Sequence, residues 1–201
     1  MYDSIDQNVI TSGEKGANKT VILTFDDGPG RVLPKLLDIL KKEEVQAMFF
    51  WQSRLLYKER PWKRVLDEGH LIGTHSCKHP NLTKLSYAEQ FEELEYSKLK
   101  IHEITGSPVT YFRPPFGQYN LETIKAAQDL GLTTVMWRIS SMDWELARHP
   151  EEILQNVIQN LENGAIILLH ELQQTIQVLP DLIKKIRAEG YDFSLLPPLE
   201  K

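Results

Sequence analysis

The chain has a single cysteine, Cys77, among 201 residues, and one thiol cannot build an internal disulfide framework. Many exported proteins also lack disulfides, so this leaves the redox compartment open. Long apolar runs are missing as well. Nothing approaches the roughly 20 residues needed to cross a bilayer, and the opening MYDSIDQNVITSGEKGANK is polar, without a signal-peptide core. That opening reads as a cytosolic chain or as one trimmed of a leader. Runs of Lys or Arg are absent too, and the formal net charge is -5, so nucleic acid is not an expected partner. A neutral glycan needs no basic surface.

What is present is ordinary globular material: 41% hydrophobic and 25% charged residues, enough for one domain around one core. Short apolar runs rich in β-branched residues alternate with longer amphipathic segments. The expected strands cover residues 21–25, 47–51, 71–74, 110–112, 133–137, 165–169 and 191–195. Between them Leu33, Leu36, Leu37 and Leu40 recur at helical spacing, as do Ile153, Val157 and Leu161. Gly69, Gly131 and Gly164 fall where helices should stop. The pattern predicts an α/β fold with about seven parallel strands, closed or incomplete as a barrel, with a doubly wound open sheet as the rival. Residues 1–19 read as a polar N-terminal extension, 20–197 as the domain and 198–201 as a short tail. Either architecture gathers its chemistry at the C-terminal ends of the strands.

Five polar clusters lie immediately after predicted strands. In Thr24, Phe25, Asp26, Asp27, Gly28 and Pro29, adjacent carboxylates repel unless a cation or an arginine neutralises one of them; a plain turn is the alternative. His75 and His79 can meet one ion if the segment between them turns like a helix, and two imidazoles with one carboxylate suit zinc with an open coordination position. Chance spacing is the competing explanation. Cys77 between them is expected to be a small buried residue and not a ligand. Arg113, Pro114, Pro115, Phe116 and Gly117 follow a rigid path that can hold an arginine and backbone N–H groups in place. Trp137 and Trp144 flank Asp143; Trp137, inside a predicted strand, is expected in the core. Finally, an apolar strand ends in His170, placed for proton transfer or capped as a core histidine. His70, His102 and His149 match no cluster.

In this order the five clusters closely resemble the motifs of the polysaccharide deacetylases, the family-four carbohydrate esterases with a NodB-like homology domain, over about residues 20–196. The resemblance implies a distorted (β/α) barrel and a divalent metal, zinc first with cobalt or nickel compatible. It also implies hydrolysis of acetyl groups, N-acetyl before O-acetyl, on N-acetylglucosamine-type residues of peptidoglycan or chitin, or on xylan. Carried over, Asp27, His75 and His79 become metal ligands, Asp26 the general base and His170 the general acid. Arg113 pairs with Asp26 and Asp143 with His170. The Phe116 backbone N–H serves the oxyanion, where many relatives have tyrosine, and Trp144 and Leu168 wall the acetyl-methyl pocket. Metal binding would lower the pKa of the attacking water. Ser140 stands where relatives often carry another acid. The implied setting is extracellular or at a bacterial cell surface, with a cytoplasmic one as the alternative, and the expected state is a monomer. Competing functions are a non-catalytic glycan-binding module on the same fold and a metal-dependent amidase or phosphoesterase for small molecules.

Overall fold

In the computed structural model, which describes residue 4 and residues 6–197, strands and helices alternate as the hydrophobic pattern predicts. Nine strands pair in parallel: β1 (Val9–Ile10), β2 (Thr20–Gly28), β3 (Met48–Trp51), β4 (Leu71–Thr74), β5 (Tyr111–Phe112), β6 (Thr133–Val135), β7 (Ile139–Ser140), β8 (Ala165–His170) and β9 (Asp192–Phe193). The order across the sheet is β1-β6-β5-β4-β3-β2-β8-β7, and β9 pairs with β2. Six α-helices join them: α1 (Leu33–Lys42), α2 (Trp62–Asp67), α3 (Tyr87–Thr105), α4 (Leu121–Asp129), α5 (Glu151–Ile158) and α6 (Gln173–Ala188).

The sheet curls. β1 lies on β6, while Ser12, two residues beyond it, bridges Ala165 at the start of β8, so distant strands of the sheet are linked by a few residues. The chain is thus a distorted, incomplete (β/α) barrel. All seven predicted strands are present. Two were missed. Val9–Ile10 is too short to show a period, and it draws part of the expected N-terminal extension into the sheet, with Val9 buried. Ile139–Ser140 was hidden behind the predicted strand at 133–137, which stops at Val135. The expected tail at 198–201 lies outside the described residues.

Side-chain alternation along the strands divides the core in two. Val21, Leu23, Phe25, Phe49, Trp51, Ile167 and Leu169 pack outward beneath the helices, with the predicted stripe of Leu33, Leu36, Leu37 and Leu40 among them. Ile22, Met48, Phe50, Val135 and Ile166 fill the barrel interior. Strands covered on both faces need near-continuous apolar runs, which is why the sequence reads so cleanly there. Two of the predicted stops are real: Gly69 and Gly131 directly follow the C-caps of α2 and α4 with positive φ of 81° and 64°, a conformation glycine adopts at little cost. Gly164 also has positive φ, 81°, but α5 already ends at Ile158, and this glycine instead makes the turn into β8.

Candidate active site

The alternation that fills the barrel also aims its polar groups. Asp26 shares parity with Ile22 and Thr24 and points inward. Asp27 should then point outward, into the helical layer, but the β2–β3 register slips between Asp26 and Gly28 and Asp27 has φ of 67°. This bulge turns the second carboxylate back over the barrel mouth. Both acids therefore face one cleft.

The other clusters arrive from neighbouring strand ends. His75 Nε2 lies 3.8 Å from Asp27 Oδ1 and His79 Nε2 lies 3.4 Å from it. Ligand atoms of Asp27, His75 and His79 all fall within 4.8 Å of one another. The segment joining the two histidines does not make the helical turn on which their meeting was conditional; Ser76 and His79 have positive φ of 63° and 61°, and no sequence period encodes such a path. Cys77 is buried and free. The Arg113 carbonyl accepts from His75 Nδ1 at 2.7 Å, which fixes the tautomer and leaves the Nε2 lone pair facing Asp27.

Arg113 is fully buried, donates to Asp26 Oδ1 at 2.8 Å, and stacks on the Phe50 ring at 4.2 Å. Burial pulls its pKa below the usual value, with Asp26 opposing. Across the cleft, Asp143 Oδ1 accepts from His170 Nδ1 at 2.7 Å and its Oδ2 accepts from the His170 backbone N–H at 2.7 Å. Thr175 Oγ1, in the first turn of α6, donates to the same Oδ2 at 2.5 Å. Burial works against charge on His170, but the hydrogen bond and Coulomb attraction of Asp143, helped by Asp26 and Asp27, outweigh it and hold the imidazole above its ordinary pKa. Burial likewise raises Asp27, yet His75, the Gln52 hydrogen bond, His170 and His79 together keep it below the usual carboxylate value. Burial and then His75 lower His79, against Asp27 and Asp26. An ionised carboxylate beside neutral imidazoles is the state that binds a cation.

These groups open on a cleft of about 410 Å³, lined also by Phe116, Trp137, Trp144 and Leu168. Phe116 is 62% exposed and Trp144 43%. Their rings sit edge-on to His79 at 4.5 Å and to His170 at 5.2 Å. Trp137, expected in the core, is only partly buried and lines the cleft, because its strand ends before it. Among the described residues the buried Ser140 hydroxyl has no hydrogen-bond partner.

Two contributors escaped the sequence reading. Gln52 donates through Nε2 to Asp27 Oδ1 at 2.7 Å; it immediately follows β3, so the strand-end rule that found the other clusters could have found it. Glu171, next to His170, is buried and accepts N–H bonds at both carboxylate oxygens. Burial pushes its pKa up to about 7, with the Gly30 and Trp51 bonds opposing.

The sequence profile described as "Polysaccharide deacetylase" matches residues 13–135. The chain belongs to the polysaccharide deacetylase family. The peptidoglycan-N-acetylglucosamine deacetylase PgdA of Listeria monocytogenes is 35% identical over 185 residues, which cover 90% of this chain and 39% of that protein. The peptidoglycan-N-acetylmuramic acid deacetylase PdaA of Bacillus subtilis is 35% identical over 188 residues, covering 90% of this chain and 71% of its own. The chain thus spans about two fifths of the first relative and most of the second. Among solved structures, a CE4 family pseudoenzyme from Bacillus anthracis superposes with a TM-score of 0.86 at 34% identity, over 92% of this chain and 66% of that one. Because the polysaccharide deacetylase fold also carries a pseudoenzyme, the question of catalysis falls on the side chains.

Proposed function

We propose that this chain is a metal-dependent hydrolase that removes N-acetyl groups from N-acetylglucosamine-type residues of a cell-wall polysaccharide, outside the cell or at its surface. One observation carries the reading: an Arg113-held Asp26 and an Asp143-held His170 flank the Asp27, His75 and His79 cluster within a single cleft. A purely binding module has no use for a paired base and acid on either side of a cation site. Peptidoglycan is the first choice of polymer because it is named in relatives that cover most of this chain. Among the described residues no helix is long and apolar enough to cross a membrane.

The donor set fits a divalent metal. One carboxylate and two imidazoles, with His75 already oriented through its far nitrogen, suit zinc in a site that keeps positions open. A bound metal ion would supply Lewis-acid polarisation of the acetyl carbonyl and acidify water near it. The chain does the rest. Asp26, held by the Arg113 guanidinium, takes the proton from the attacking water. The backbone N–H of Phe116 stabilises the developing oxyanion. Trp144 and Leu168 wall the pocket for the acetyl methyl. His170, held protonated by Asp143, gives its proton to the departing nitrogen, since an amine leaves poorly as an anion.

Acetate release from N-acetylglucosamine oligomers is expected, lost with a chelator and restored by zinc. Peptidoglycan fragments separately acetylated on glucosamine or muramic acid will assign the sugar. Failure to deacetylate any N- or O-acetylated glycan overturns the reading. Turnover of small amides or phosphoesters would then favour the small-molecule alternative, and glycan retention without turnover the binding module.

A further inference from the structure

The chemistry proposed above leaves one buried acid unused. Glu171 follows His170, so alternation sends it outward, behind the segment 26–30 instead of into the cleft. There its Oε1 accepts from the Trp51 indole Nε1 at 2.9 Å and its Oε2 from the Gly30 backbone N–H at 2.6 Å. A Cβ on Gly28 would stand 1.7 Å from Oε1, so this carboxylate occupies the space that only glycine leaves free. Trp51 is the register partner of Gly28, the first residue past the bulge. One carboxylate therefore ties the stretch 28–30 to the end of β3. The residue immediately before that stretch is Asp27, held at a positive φ that an L residue abandons when nothing constrains it.

We infer that Glu171 is a positioning residue for the cation site: its carboxylate clamps the segment 28–30 against Trp51 and so keeps the Asp27 carboxylate directed at His75 and His79. Without it the fully buried indole N–H loses its acceptor and the Gly30 N–H is freed. The bulge can then relax. Glutamine is not an adequate substitute, because its single oxygen serves one donor while its NH2 group meets the other N–H.

The inference rests on the metal reading, so the test measures zinc affinity and not turnover, together with amide exchange at Gly30 in the zinc-free protein. Glu171→Gln is expected to weaken zinc binding about 10- to 100-fold, the usual effect of losing a group that orients a ligand, and to speed Gly30 exchange. Trp51→Phe alone, which keeps the Gly30 bond, should weaken zinc less. In the double variant Trp51→Phe/Glu171→Gln the surplus donor is gone, and part of the affinity lost in Glu171→Gln should return; a merely structural loss would accumulate. Wild-type zinc affinity in Glu171→Gln, or no recovery in the double variant, overturns the clamp. If the wild-type protein also takes up no zinc, the metal reading fails and the positioning role fails with it. That result differs from failure of the clamp alone, in which the wild-type protein still binds zinc.

Discussion

Two histidines, one buried and one mostly covered, sit at opposite ends of the barrel strands and meet opposite fates. At the C-terminal end of β8, His170 faces Asp143 at 2.7 Å and is held above its ordinary pKa. At the N-terminal end of β4, His70 Nδ1 accepts from the Ala47 backbone N–H at 3.1 Å, and burial pushes its pKa down to about 4, with Glu68 opposing. The His70 ring is buried, and the His170 ring is mostly covered but opens on the cleft. The difference is what their Nδ1 meets: a carboxylate rewards a proton there, an N–H donor forbids one. The catalytic end of a (β/α) barrel is thus not set apart by polar burial as such. It is set apart by the carboxylate that keeps charge on His170, whereas His70 at the other end is buried in a neutral state.

Two substitutions would break this contrast at its strongest point. Asp26→Asn, which keeps an oxygen for Arg113, should lower deacetylation by about 100- to 10,000-fold, the range for loss of a positioned base, with zinc content unchanged. Activity close to wild type would remove Asp26 as the base. Asp143→Asn should also cost kcat, and its pH profile tells more than the size of the loss. His170 must be protonated to act and its pKa is raised, so the alkaline limb of activity lies above the ordinary histidine value. Without the Asp143 charge that limb should move to lower pH; an unmoved limb detaches it from His170.

Much of this contrast was legible in the sequence, for a physical reason. A strand buried on both faces must be apolar until it ends, so Asp26, His75, Arg113 and His170 each announce the point where a strand leaves the core. What alternation could not supply was the side on which Asp27 lies, because the bulge that re-aims it has no period. The same holds for the path from His75 to His79, which depends on left-handed residues that are not glycine. Val9–Ile10 was unreadable because two residues show no pattern, and Trp137 was misplaced because the end of β6 is set by pairing with β5 and β1. His70 carried no signal at all: its neutrality comes from burial by the surrounding fold, with its Nδ1 turned to the backbone N–H of Ala47.

The opposite pole of the comparison is checked through stability. His70 binds a proton near pH 6.5 in the unfolded chain but only near 4 in the folded one. Its contribution is therefore complete above the higher value and is lost as pH falls toward the lower, by about 3 kcal/mol in all. Thermal melting followed across that window should fall more steeply for the wild type than for His70→Gln, whose side-chain oxygen can still accept from Ala47. Equal slopes would show that His70 is protonated in the fold and that the two ends of the barrel do not differ as argued.

The smallest effect is expected at the rim of the cleft. The Phe116 ring is mostly exposed and touches His79 only edge-on, and the role proposed for this residue is carried by its backbone N–H. Phe116→Tyr should therefore change kcat/KM by less than about 3-fold, well under 1 kcal/mol of transition-state energy. A larger change confined to KM would give the ring a part in holding the sugar. A larger change in kcat would mean that the ring tunes the state of His79, and charge at the catalytic end would then depend on an apolar neighbour as well as on paired carboxylates.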